Sequence, residues 1–417
     1  MSEGVDTVGL DTPPRLAVDR LLDDRETRII VCCGAGGVGK TTTAAALGVR
    51  AAARGRKAVV LTIDPARRLA QSMGIDSLDN TPRKVATAGE GGGELHAMML
   101  DMKRTFDEIV EAHADGERAR AILANPFYQS LSAGFAGTQE YMAMEKLGQL
   151  RARDDWDLII VDTPPSRSAL DFLDAPKRLG SFLDGKFIRV LMAPAKVGGR
   201  AGMKFLNVGM SMMTGTLSKL MGASLLKDVQ TFVAAMDTMF GGFRTRADAT
   251  FRLLQAPGTA FLVVAAPEPD ALREAAYFVE RLAAERMPLA GLVLNRVHGS
   301  GADQLSAERA LAAAENLEEG GIVDQESGKA GLRDTAAEPP GADDDTTAVD
   351  RITAGLLRLH AERMQVIARE QRTRDRFTSL HPEVAVAEVA ALPGDVHDLA
   401  GLRAIGERLA AGVPAGA

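Results

Sequence analysis

Cysteine is nearly absent from this chain of 417 residues: only Cys32 and Cys33 carry thiols, and they are adjacent. Two neighbouring thiols can build neither a disulfide framework nor a CxxC metal clamp, so a reducing cytoplasm is the expected home. Aromatic side chains amount to 4 %. No run reaches the roughly 18 unbroken apolar residues that a membrane span needs. The N-terminus opens on Glu3 and Asp6, where a signal peptide would place basic and then apolar residues. An excess of positive charge is missing too: 49 basic against 56 acidic side chains give −7. Such a field repels a polyphosphate, which excludes nucleic acid as a primary partner. What remains is a protein free in solution or at most peripheral at a membrane.

Apolar residues, with Ala, Gly, Leu and Val dominant, make up 46 % of the chain, enough for a packed, helix-rich core and too much for wholesale disorder. Residues 1–12 read as a disordered N-terminus, and residues 13–417 as a single domain. Thr12, Pro13 and Pro14 introduce a short amphipathic helix ending near Asp24. Strands are expected at Arg28–Cys33, Lys57–Asp64, Leu95–Asp101, Trp156–Asp162, Thr259–Ala266, Ala290–Val297 and Val384–Ala391. Helices separate them, which implies right-handed βαβ crossovers. The fold class is α/β: a mostly parallel sheet with helices on both faces. Two helical regions, about 102–150 and 168–254, interrupt the alternation and suggest an inserted helical subdomain. Residues 316–348 combine Gly, Pro and Asp343 to Asp345 with few large apolar side chains, and read as a flexible acidic loop.

The segment Gly34-Ala35-Gly36-Gly37-Val38-Gly39-Lys40-Thr41 fits the P-loop pattern, between a strand and a helix as that motif requires. Glycines let successive backbone N–H groups turn inward around phosphate oxygens. Lys40 can then reach the β and γ phosphates, the Thr41 hydroxyl can ligate Mg²⁺, and the helix dipole favours the anion. Thr42, next in the helix, joins Gly36, Gly37, Val38 and Gly39 among the expected nucleotide-binding residues. A glycine-rich turn is the bland alternative. Asp162 ends the run Leu158-Ile159-Ile160-Val161. A carboxylate there can hold Mg²⁺ directly or through water, as a Walker B residue does, whereas the plain alternative is a cap for the next segment. Thr163-Pro164-Pro165-Ser166 follows and reads as a γ-phosphate-sensing switch loop.

Gly-Gly-Val-Gly-Lys-Thr at 36–41, Asp64-Pro65-Ala66-Arg67-Arg68-Leu69, Asp162-Thr163-Pro164-Pro165 and Leu294-Asn295-Arg296 occur in that order. Together they resemble the ArsA family of ATPases, which includes the bacterial arsenite-pump subunit and the eukaryotic ATPase that delivers tail-anchored membrane proteins. The resemblance implies ATP and Mg²⁺ as ligands and a P-loop NTPase core that works as a dimer. It makes Asp64 the switch carboxylate that orients the attacking water, a catalytic role shared with Lys40. It makes Asn295 the side chain that reads adenine; an amide can pair with both an exocyclic amine and a ring nitrogen. A strand-end Asn is otherwise most often a turn residue. Pro267 and Glu268 occupy a similar strand end and are expected to line the base pocket.

The sequence also departs from the family. Relatives of this deviant-Walker type carry a second lysine where Ala35 stands, so the charge that it would offer a partner's phosphates must come from elsewhere; Arg67, Arg68 or Arg167 could supply it, or could be solvated surface charges. Cysteines outside the P-loop, with which the arsenite pump is thought to hold metalloid, are missing, as is the zinc CxxC that dimerises the targeting branch. Cys32 and Cys33 read as small buried residues. Eight of 17 methionines fall between Met192 and Met239. With Leu225, Val229, Phe232 and Met236 at helical spacing, they form either a core stripe or an adaptable groove for an apolar client. The leading expectation is a nucleotide-gated ATPase that couples hydrolysis to a client, a homodimer or paired with a paralogue, with a membrane protein, lipid or transporter as partner. A positioning ATPase of the chromosome- or septum-partitioning type would need a basic face or a membrane-binding terminal helix. The helix bearing Leu399, Leu402, Ile405 and Leu409 also carries Asp398 and Glu407 and should instead pack on the sheet. A metabolic synthetase would need a small polar pocket.

Overall fold

The structure is a computed structural model that describes residues 14–64, 68–86, 91–132, 138–164, 242, 245–326 and 342–411. Its strands are β1 Ile29–Cys33, β2 Lys57–Thr62, β3 Arg83–Lys84, β4 Glu94–Met99, β5 Leu158–Asp162, β6 Thr259–Ala265, β7 Leu289–Val297 and β8 Val386–Ala390. Its helices are α1 Val18–Asp23, α2 Lys40–Ala53, α3 Arg68–Ser72, α4 Met102–His113, α5 Gly116–Leu123, α6 Pro126–Ser132, α7 Thr138–Arg153, α8 Pro269–Ala284, α9 Ala307–Glu326, α10 Ala342–Leu380 and α11 Leu399–Ala411.

One eight-stranded sheet runs in the order β3-β4-β2-β5-β1-β6-β7-β8. Every pairing is parallel except β3 with β4. The central strands β1, β5 and β6 are buried along their whole length, as strands covered on both faces must be. Side chains alternate between two apolar layers. Ile29, Val31 and Cys33 of β1 join the layer that holds α4, α7 and α8, and Ile30 and Cys32 join the layer under α2 and α11. The terminal helix α11 packs on α2 and β8 with Leu402, Ile405 and Leu409 buried, as its polar flanks led us to expect.

Each expected strand is present, with bounds within two residues of those expected. The strand that went unforeseen, β3, consists of Arg83 and Lys84, too short and too polar for any periodic signal. The region 102–150 is not continuous: α4, α5, α6 and α7 follow one another, with Asp101 and Asp115 accepting hydrogen bonds from the backbone N–H groups of Arg104 and Arg118. Most of the second helical region, with the methionine stripe and its Met236, lies outside the described residues, as do residues 1–12. The expected loop at 316–348 needs correction. Residues 316–326 complete α9 and residues 342–348 open α10, so only 327–341 fall between them, and these lie outside the described residues. Helix-forming Ala and Glu, together with the packing of α9 against α10, prevail over low apolar content.

Candidate nucleotide-binding site

The loop after β1 follows from its glycines. Gly34 adopts φ 148°, and a Cβ there would collide with the Val264 carbonyl of β6. Gly37 and Gly39 have φ 76° and 94°, a left-handed conformation open to glycine at little cost. Gly39 caps α2, its carbonyl accepting from Thr43 N at 2.9 Å, so the free N–H groups of the first turn of α2 face the loop. Lys40 is buried, and its Nζ donates to the Ala35 carbonyl at 2.7 Å. Burial lowers its pKa, and the neighbouring Asp162 acts most strongly against that fall.

Asp162 closes β5, adjacent to β1 in the sheet, and is fully buried. Its Oδ2 accepts from Thr62 Oγ1 at 2.8 Å, while its Oδ1 has no partner among the described residues. Burial pushes its pKa up to about 6, Asp64 adds to that rise, and the Thr41 and Thr62 hydroxyls and Lys40 hold it down. A buried carboxylate with an idle oxygen, beside the Thr41 hydroxyl and the glycine cradle, is a donor set suited to Mg²⁺ held with a phosphate. Asp64 ends the β2 turn, its backbone N donating to Thr62 Oγ1 at 3.2 Å.

Gly37, Gly39, Lys40, Thr41, Thr42 and Asp64 line one cleft of about 770 Å³. Asn295, at the end of β7, donates from Nδ2 to the Val38 carbonyl at 2.8 Å and packs so closely on Gly39 that a Cβ there would strike it. Pro267 is elsewhere. It lines a separate cleft of about 480 Å³ with Leu294, Val297 and His298. The period of two explains the separation: Asn295 shares the α2 face with Val293, whereas Pro267 shares the opposite face with Ala265 and Leu294.

Several residues of the cleft were not foreseen. Gln71 and Ser72 of α3 line it, as do Arg296 and the segment Asp395 to His397 after β8. Arg296 sits at φ 63° where the β7–β8 register shifts, a feature without a local sequence signal. The segment after β8 was legible in principle, since Pro393-Gly394 breaks a strand whose end points toward the site. Arg68 and Thr163 also line the cleft, which brings one of the three candidate arginines to it; Arg67 and Arg167 lie outside the described residues. Thr163 Oγ1 donates to the Cys32 carbonyl at 2.9 Å. Cys32 and Cys33 are buried, and burial raises both thiols, Cys33 to about 12. They are unreactive core residues.

Strand, glycine loop and helix, with a buried acid ending the neighbouring strand, define a P-loop NTPase. Within that class, the family model for anion-transporting ATPases, the ArsA ATPase family, matches residues 27–319. The chain belongs to that family and is an ATPase of its kind. It is similar to "ATPase GET3" of Podospora anserina, 26 % identical over 298 residues, which cover 70 % of this chain and 80 % of that protein. It is 30 % identical over 173 residues to "ATPase GET3" of Malassezia globosa, 42 % of this chain and 49 % of the relative. To "ATPase BagA" of Mycobacterium tuberculosis it is 30 % identical over 168 residues, 38 % and 48 % respectively. The chain thus spans about half the length of the last two.

Proposed function

We propose that this chain is a Mg²⁺-dependent, nucleotide-gated ATPase that uses hydrolysis to move a client. The reading rests chiefly on one observation: the unpartnered Asp162 Oδ1 lies buried beside Lys40 and Thr41 at the mouth of a glycine cradle. In this reading Gly36, Gly37, Val38 and Gly39 present backbone N–H groups to the phosphates, and Thr42 extends that contact along α2. Lys40 gives up the Ala35 carbonyl and turns its charge to the β and γ phosphates. Thr41 and Asp162 hold Mg²⁺, which when bound supplies positive charge to the phosphate oxygens. Asp64 accepts a hydrogen bond from the attacking water and orients it. Asn295 exchanges its bond to Val38 for the base. Arg68, already at the cleft, stands in for the lysine that Ala35 replaces. Titration of ATP into the protein tests the metal arm: removal of Mg²⁺ or Asp162→Asn should weaken binding, and equal affinity in all three cases would refute the assignment.

The client is proposed to be apolar, a membrane protein or lipid, with the protein cytoplasmic or peripheral at a membrane and working as a dimer. No helix among the described residues is long and apolar enough to cross a membrane. The methionine stripe at 192–239 supports an apolar client. A photoreactive residue at Met236 should capture such a partner in an ATP-dependent yield; no capture in either nucleotide state counts against it.

A further inference from the structure

The turn after β2 that carries Asp64 has a second anchor, which comes from α7. Gln139, in the first turn of that helix, donates from Nε2 to the Ile63 carbonyl at 2.9 Å. A carbonyl only accepts, so the atom that meets it is the amide nitrogen. The Ile63 carbonyl and the Asp64 N–H belong to one planar peptide unit, and that N–H donates to Thr62 Oγ1 at 3.2 Å. The unit is thus held at both of its polar groups, by α7 on one side and by β2 on the other. The Ile63 N–H is fixed as well, on the Asp162 carbonyl at 3.0 Å. With these bonds in place, the direction in which the Asp64 side chain leaves the backbone is set. Both anchors are stiff. Tyr141, Met142, Ala143 and Met144 of α7 are buried in the layer that also holds Ile63, so α7 cannot shift without disturbing packed side chains. Thr62 Oγ1 in turn donates to Asp162 Oδ2 at 2.8 Å.

We propose that Gln139 is a positioning residue for hydrolysis: through the Ile63 carbonyl it holds Asp64 aimed at the attacking water. The inference rests on the role proposed above for Asp64 and adds to it a residue that lies outside the four sequence motifs and does not line the nucleotide cleft. Gln139 acts through Asp64 and not on the nucleotide. Loss of its amide leaves the Ile63 carbonyl without its donor, and the carbonyl can regain one from water only by rotating the peptide unit, which turns Asp64 with it. Water attack tolerates little of that, since reacting groups must be held close to one geometry. The glycine cradle, Lys40 and Asn295 take their positions from β1, α2 and β7, so the loss falls on the rate of hydrolysis and spares nucleotide binding. A Gln139 that served only to hold α7 in place would show the opposite: lower stability with Asp64 still correctly aimed.

Steady-state phosphate release from the full chain with ATP and Mg²⁺ tests this in a double-mutant cycle. Gln139→Leu, which removes the donor at similar size, should lower kcat about fivefold, the worth of one hydrogen bond, and leave the KM for ATP unchanged. Gln139→Glu keeps the shape but presents an acceptor to the Ile63 carbonyl, and should lower kcat at least as far. In an Asp64→Asn background, Gln139→Leu should lower kcat no further, because the group it positions is already gone. Native kcat in both Gln139 variants, a raised KM at native kcat, or a loss in the Asp64→Asn background as large as in the native one overturns the proposal. Native turnover in Asp64→Asn alone is a separate outcome: it would overturn the role of Asp64 itself, and this inference with it.

Discussion

Lys40 and Asp162 determine each other's state. Each is buried, each would be costly to ionise alone, and each lowers the other's penalty. Lys40→Ala removes the loop's only cation, so ATP turnover should fall to background by phosphate release; turnover equal to the native protein would sink the P-loop assignment. Asp64→Asn should leave ATP affinity unchanged and slow hydrolysis, because it disturbs the water and not the cradle. Tenfold weaker affinity at unchanged turnover would contradict that role. The Asp162 carboxyl also sets a pH dependence. Its folded pKa of about 6 lies above its ordinary 3.8, so the folded metal-free protein keeps a proton that the unfolded chain releases. Metal-free stability therefore falls as pH rises between those values. Mg²⁺ needs the carboxylate, so its affinity should drop about tenfold per pH unit below 6, a slope that titration calorimetry reads directly. A flat profile between pH 5 and 7 would mean that Asp162 does not hold the metal.

At the scale of elements, strands were the most legible features, because buried parallel strands are unbroken apolar runs bounded by glycine, proline or acid. The P-loop was legible for the same reason that it works: its glycines are needed by backbone geometry wherever a phosphate is cradled. That Pro267 lines a cleft of its own was not legible, because only the register of β6 and β7 decides which face a strand-end residue joins. The α9–α10 hairpin was missed because a low apolar content suggests a loop, while helical propensity and packing between the two decide otherwise. Arg56 was missed as well. It is 1 % exposed, and its five N–H groups meet Asp157 Oδ1 and the carbonyls of Leu22, Asp24, Thr27 and Asp157. It ties α1, the start of β2 and the approach to β5 together through contacts 29 to 101 residues apart. Arg56→Ala should destabilise the fold by about 3–5 kcal/mol in denaturant unfolding, since it strands buried acceptors. A loss below about 1 kcal/mol would show that water replaces it.

The whole molecule places its chemistry where an open parallel sheet allows it, at the C-terminal ends of the central strands. β1 leads into the cradle, β5 ends in Asp162, the turn after β2 carries Asp64 and β7 ends near Asn295. Sequence order hides this convergence, since β1 and β5 are neighbours in the sheet yet more than a hundred residues apart in the chain. Under the proposed function, residues from four strands act on one nucleotide. Whether this geometry hydrolyses ATP is measured most directly by steady-state phosphate release from the full chain with ATP, with and without Mg²⁺, beside Lys40→Ala. The account predicts turnover in the native protein with Mg²⁺ and none above background after chelation or in the variant. Turnover that persists in the variant or without Mg²⁺ would contradict it.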